Sequence, residues 1–142
     1  TATDRSAAAL EVARANAKRL GAGTIEFALG DWLEPLAPQR RFELIVSNPP
    51  YVADADPHLS AGDLRHEPAS ALAAGADGLE ALRRIIADAP SRLAPGGWLL
   101  LEHGWDQAER VRALMRAAQL ESIQTRRDLA GIERATAGRR AD

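Results

Sequence analysis

The chain has 142 residues, 46% of them apolar and 27% charged, with a formal net charge of -2. That length suits one domain with a real core, and the near-neutral balance gives no electrostatic support for nucleic acid. The absence of cysteine rules out disulfides, thiolate zinc sites and a cysteine nucleophile. No apolar run approaches the ~18 residues of a membrane span, so a soluble cytoplasmic protein is the default expectation.

Taken in chain order, Thr1 to Asp4 read as the end of a strand. Leu10, Ala13, Ala17 and Leu20 recur at helical spacing, which predicts a helix from about Arg5 to Leu20, stopped by Gly21. The stretch 24–32, TIEFALGDW, alternates as a strand with Ile25, Phe27 and Leu29 on one side. The stretch 42–48, FELIVSN, predicts a second strand, and its unbroken Leu-Ile-Val run suits a sheet covered on both faces. Residues 51–77 read as a long polar segment, a length that usually marks a functional or disordered loop. The stretch 79–93 predicts a helix with Leu79, Leu82, Ile86 and Leu93 near one face and a disturbance at Pro90. Pro95 to Gly97 read as a turn, 98–104 as a buried strand, and 106–120 as a helix with Val111, Leu114 and Met115 inward. Two closing strands predict an antiparallel hairpin around Ala130 and Gly131.

Strands alternating with helices imply an α/β fold with a mostly parallel sheet, in which ligands sit beyond the carboxyl ends of the strands. Asp4, Asp31, Asn48 and His103 all fall at or near such ends. Asp4 suits two roles, acceptance of ribose hydroxyls or helix N-capping. His103 is open to a structural role or a place on the rim, and Trp98 and Trp105 are expected to pack rather than bind.

The most informative stretch is Ser47-Asn48-Pro49-Pro50-Tyr51. Two prolines stop a buried strand and remove its backbone donors. The carbonyls there, with the Asn48 side-chain oxygen, are left to accept hydrogen bonds from another group. Two acceptors held side by side on a stiff backbone suit a planar –NH2 group, and preorganisation limits the entropic cost of gripping it. Tyr51 can lie against its flat face. Asp54, Asp56, His58, Asp63, His66 and Glu67 include metal-ligating types, but their spacing fits no zinc or calcium pattern, and no metal is expected.

SNPPY after an apolar strand resembles the target-nitrogen motif of amino-methyltransferases that use S-adenosylmethionine. With TDRSAAALEVARANAKRLG, GDLRHEPASALAAGADGL, LLLEHGWDQ and RDLAGIERATAGR, the chain as a whole resembles the release-factor glutamine methyltransferases, the HemK/PrmC family. The resemblance implies a Rossmann-like class I S-adenosylmethionine-dependent methyltransferase fold with a C-terminal antiparallel hairpin. It implies methyl transfer to the side-chain amide of the glutamine in the Gly-Gly-Gln motif of class 1 peptide chain release factors. In that reading Asn48, Pro49, Pro50 and Tyr51 hold the target amide. Asp4 holds the ribose, Asp31 and Trp32 the adenine, and Asn48 lies between cofactor and substrate. Glu67 and Pro68 help shape the substrate pocket.

Glycine-rich motif I, the first strand and the family's N-terminal domain are not found. Residues 1–142 are therefore expected to form a partial catalytic domain that binds the cofactor weakly or not at all by itself. The competing substrates for the same chemistry are a large-subunit ribosomal protein and the amino group of a nucleic-acid base. A non-catalytic, methyltransferase-like scaffold is the remaining class.

Overall fold

A computed structural model describes residues 1–56, 69–72 and 74–142, arranged as two compact units, Thr1–Arg40 and Arg41–Asp142. The first unit holds β1 (Ala2–Asp4), α1 (Ala7–Arg19) and β2 (Phe27–Leu29), with β1 and β2 parallel in a sheet of their own. Ser6 caps α1 by accepting from the Ala9 amide, satisfying one of the donors a helix start leaves free. The other end closes as expected at Gly21, whose φ of +71° lets Ala22 donate to the Ala17 carbonyl. Leu10 and Ala17 carry the buried stripe of α1. The strand expected at 24–32 shortens to β2. Ile25 and Leu29 stay exposed, and Phe27 lies under the Arg14 guanidinium, 5.6 Å from its ring centre.

The second unit holds β3 (Phe42–Ser47), the short α2 (Ala69–Leu72), α3 (Glu80–Arg92), β4 (Leu93–Glu102), α4 (Ala108–Ala117), β5 (Leu120–Arg127) and β6 (Glu133–Arg140). The strands form one sheet in the order β3-β4-β6-β5. β3 and β4 run parallel, joined by α3, while β6 is antiparallel to both β4 and β5. The expected hairpin is present: Asp128 closes it by accepting from the Ala130 and Ile132 amides.

The core lies between α3, α4 and one face of the sheet. Leu82, Ala89, Leu93, Leu99, Leu101, Val111 and Met115 are completely buried, and area burial of this kind is the main stabilising term. Three expectations change. The Leu-Ile-Val run does not lie in a sheet covered on both faces, because only Ile45 turns to the helices while Leu44 and Val46 stay 56% and 61% exposed. Pro95 to Gly97 are not a turn before the strand but a bulge within β4, where the register jumps from Phe42↔Leu93 to Leu44↔Trp98. And α3 continues through Pro90 to Arg92.

At the start of α3, Asp77 grips Arg83: Nη1 donates to Oδ1 at 3.0 Å, Nη2 donates to Oδ2, and the Leu79 amide also donates to Oδ1. The Arg83 hydrogen bonds hold the Asp77 carboxyl down at about 2, from an ordinary 3.8. A carboxylate depressed on folding stabilises above its unfolded value, and that stability is lost as pH falls through the folded one. Between 3.8 and about 2, the wild type should therefore lose thermal stability more steeply than Asp77→Asn. Melting curves across that window check it, and parallel slopes would refute it.

Candidate functional site

The carboxyl ends of β1 and β2 bring together three of the residues singled out above. β1 and β2 are in register at Asp4↔Leu29, and the Gly30 amide donates to the Asp4 carbonyl at 3.0 Å. That bond turns the chain so that Asp31 and Trp32 follow at the same edge as Asp4. Thr3 Oγ1 donates to the Trp32 carbonyl at 2.7 Å, which holds Trp32 at a φ of +50°. A bulky residue adopts that left-handed geometry only where its surroundings impose it, at a cost of about 1–3 kcal/mol. Asp31 lies 3.7 Å from Arg5 Nε. Asp4 is exposed, and its Oδ1 accepts from the Ser6 amide at 2.7 Å. Because Ser6 is the N-cap of α1, Asp4 is free of the capping role that its position also suited.

In the second unit the chain leaves β3 at Ser47 and enters the Asn-Pro-Pro-Tyr tip. Pro49 is fully buried, Pro50 and Tyr51 are half-buried, and Asn48 is exposed. The Asn48 side chain makes no hydrogen bond to any described residue, so its amide is open to a ligand. Beyond the tip the backbone is tied down closely. The Val52 amide donates to the Leu72 carbonyl and the Ala74 amide to the Val52 carbonyl, both at 2.9 Å. The Asp54 amide donates to the Gly75 carbonyl at 3.0 Å, and the Gly75 amide to Asp54 Oδ1 at 3.1 Å. Asp54 thus serves this turn.

Two residues the sequence reading passed over complete the arrangement. Gln107 Nε2 donates to the Tyr51 carbonyl at 2.9 Å and to the Gly78 carbonyl at 3.2 Å, while its Oε1 accepts from the Gly104 amide at 2.9 Å. Gly78, at a φ of +70°, passes so close that a Cβ there would stand 2.5 Å from the Tyr51 oxygen. The positive φ demanded at the last glycine of Gly-Ala-Asp-Gly was a signal available in the sequence; the partner of Gln107 was not.

His103 takes the structural role. It is completely buried, with Nδ1 3.0 Å from the Gly104 carbonyl and Nε2 2.9 Å from Thr136 Oγ1. A carbonyl only accepts, so in the neutral imidazole Nδ1 carries the hydrogen and Nε2 accepts from Thr136. The Thr136 hydroxyl lies 3.0 Å from that of Thr125, which in turn accepts from Arg112 Nη1 at 3.0 Å. Trp98 is half-buried, but Trp105 is not a packing residue: it is 72% exposed. Glu67 and Pro68, with His58, Asp63 and His66, lie outside the described residues. Among the described residues no cluster of three or more His, Asp or Glu side chains could hold a metal. No described helix is long and apolar enough to cross a membrane.

Over residues 1–135 the chain matches a family model described as a methyltransferase domain. It is 59% identical over 138 residues to the release factor glutamine methyltransferase of Bordetella pertussis, covering 97% of this chain and 51% of that protein. It is 55% identical over 138 residues to the protein of the same name from Xylella fastidiosa, covering 97% of this chain and 50% of the relative. The chain therefore spans about half the length of the curated relatives it matches. Among solved structures, a ribosomal protein L11 methylase from Lactobacillus delbrueckii subsp. bulgaricus shares the fold. Its TM-score is 0.65 at 19% identity, over 99% of this chain and 56% of that one.

Proposed function

The chain belongs to the methyltransferase domain family, and from that premise we propose that it is part of a protein-glutamine methyltransferase acting on class 1 peptide chain release factors in the cytoplasm. The target is the side-chain amide nitrogen of the glutamine in the Gly-Gly-Gln motif. One observation carries this reading: an exposed asparagine amide, without a partner among the described residues, stands on a buried proline at the carboxyl end of a parallel strand. The 59% identity to a protein named for release-factor glutamine supports the choice of substrate.

The donor set at the ends of β1 and β2 suits a nucleoside cofactor. An exposed carboxylate at Asp4 can accept from two ribose hydroxyls, Asp31 from an exocyclic amine, and the Trp32 ring can stack on a base. When bound there, S-adenosylmethionine supplies a methyl group made electrophilic by a positive sulfur. The chain's own residues do the rest. Asn48 Oδ1 and the Pro49 carbonyl accept hydrogen bonds from the glutamine –NH2 and fix its direction, and Tyr51 packs against the amide plane. An amide nitrogen is a poor nucleophile because its lone pair is delocalised. Acceptors placed off the amide plane weaken that conjugation, and their dipoles favour the positive charge that develops on nitrogen. Alignment of this kind can supply on the order of 7 kcal/mol of barrier lowering. Transfer would break the methyl–sulfur bond and leave its electron pair on a neutral thioether, and the methylated nitrogen would then release its proton to water, so no strong base is required of the chain.

The test uses the full-length protein with methyl-labelled cofactor and, in parallel, a class 1 release factor and a large-subunit ribosomal protein. Label on the Gly-Gly-Gln glutamine is expected. Label confined to the ribosomal protein, or on no glutamine at all, would overturn the assignment.

A further inference from the structure

We propose that Gln107 is a positioning residue, whose side-chain amide sets the Asn48–Tyr51 tip in the orientation from which Asn48 meets its target; this deepens the function proposed above and rests on it. The tip is poor in ties of its own. Pro49 and Pro50 contribute no backbone donor, and the Asn48 side chain bonds no described residue. The Tyr51 carbonyl is the point at which a side chain from elsewhere in the fold takes hold of the tip, and that side chain is Gln107.

The fit is specific to a primary amide. Gln107 is 97% buried, with a residual exposure of 3%. Its –NH2 faces two carbonyl oxygens, Tyr51 and Gly78, and its oxygen faces the Gly104 amide. Both donors and the acceptor are used, so a carboxylate or a thioether of similar length would leave buried carbonyls unpaired.

Gln107 is itself held firmly. Its backbone amide donates to the Gly104 carbonyl at 3.1 Å, and its carbonyl accepts from Val111 at 2.9 Å at the start of α4. The Gly104 carbonyl also faces His103 Nδ1, and His103 is fixed through Thr136 on β6, Thr125 on β5 and Arg112 on α4. An unbroken series of hydrogen bonds thus runs from the core of the sheet to the tip. Displacing reacting atoms by about 1 Å can cost on the order of a hundredfold in rate, so a tip that loses this tie is expected to turn over slowly while still binding cofactor.

Gln107→Glu in the full-length protein separates a positioning role from a packing role, because it keeps the shape and replaces both donors with a carboxylate facing two carbonyls. Hydrogen exchange should quicken in the backbone at 51–54 and 74–78. The kcat should fall by about tenfold or more, with KM for S-adenosylmethionine changed by less than about twofold. Acidification returns a donor to the variant as its carboxyl protonates, so its kcat relative to wild type should recover as pH is lowered. Gln107→Met, which cannot regain a donor, should show the same loss without recovery, and it serves as the second variant if the glutamate protein does not fold.

Wild-type exchange at 51–54 together with wild-type kcat in a folded variant would overturn the proposal, as would a Gln107→Glu defect equal at every pH. Faster exchange with undiminished methyl transfer would overturn the positioning role as well, whereas transfer that survives Asn48→Ala would overturn the assignment of the chemistry to the tip.

Discussion

Asn48→Ala is expected to lower the rate of methyl transfer by about 10²–10³-fold or more while leaving the fold and cofactor affinity nearly untouched. The size follows from the job. Removing one preorganised polar group aimed at developing charge typically costs that much, and in the proposed function the same group also sets the direction of the nitrogen. The separation from stability follows from the structure. Asn48 is exposed and bonds no described residue, whereas its neighbour Pro49 is buried. Truncating it leaves no unpaired buried group, and an exposed site of this kind changes stability within about 0.5 kcal/mol. The cofactor-holding residues proposed here, Asp4, Asp31 and Trp32, are held by contacts of their own: Ser6 to Asp4, Arg5 to Asp31 and Thr3 to Trp32. Single-turnover transfer, cofactor titration and a melting curve on one preparation check all three parts. Transfer at the wild-type rate in Asn48→Ala would remove the asparagine from the mechanism.

What could be read in advance was local. The 3.6-residue spacing of Leu10 and Ala17, or of Leu79, Leu82 and Ile86, encodes a buried face directly. Gly131 marks the hairpin because turn geometry demands such a residue. The proline pair after Leu44-Ile45-Val46 marks the tip for the same reason. Strand faces were harder. Leu44 and Val46 look like core residues, and only the packing of helices against the opposite face leaves them exposed. Pro95 to Gly97 have the composition of a turn but are absorbed as a bulge, because β3 pairs on both sides of them. Pairings across the chain were not legible at all. Gln107 sits among Asp106, Ala108 and Glu109 and reads as a solvated helix start. Nothing local reveals that Tyr51 and Gly78 will present two carbonyls to it. His103 is open to a structural role or a place on the rim until Thr136 is brought within 2.9 Å of its Nε2 from β6. Trp105 errs the other way, since a tryptophan beside a buried strand is expected inside and is found 72% exposed.

Gly78→Ala is the second large effect, and it tests how tightly the tip is seated. Two costs combine. At a φ of +70° an L-residue pays about 1–2 kcal/mol that glycine avoids. The added Cβ would also lie 2.5 Å from the Tyr51 oxygen, 2.9 Å from Gln107 Nε2 and 3.2 Å from the Ala53 amide nitrogen. Two of those three atoms are backbone, so relief comes only by moving the tip or breaking the bonds from Gln107, at about 1–3 kcal/mol for buried groups left unpaired. The expected loss of stability is therefore about 2–5 kcal/mol. Gly131→Ala isolates the second cost. Gly131 has a φ of +78° in the same compact unit, but a Cβ there meets nothing within 4 Å. It should lose only the conformational part, about 1–2 kcal/mol, and keep full transferase activity. Gly78→Ala should lose more stability and, in the molecules that remain folded, most of the transfer rate. Denaturant titrations of the pair, with activity measured well below each midpoint, distinguish the two. Equal destabilisation with equal activity would mean that the tip is not seated against Gly78, and the exposed Asn48 would then have no rigid base from which to direct a nitrogen.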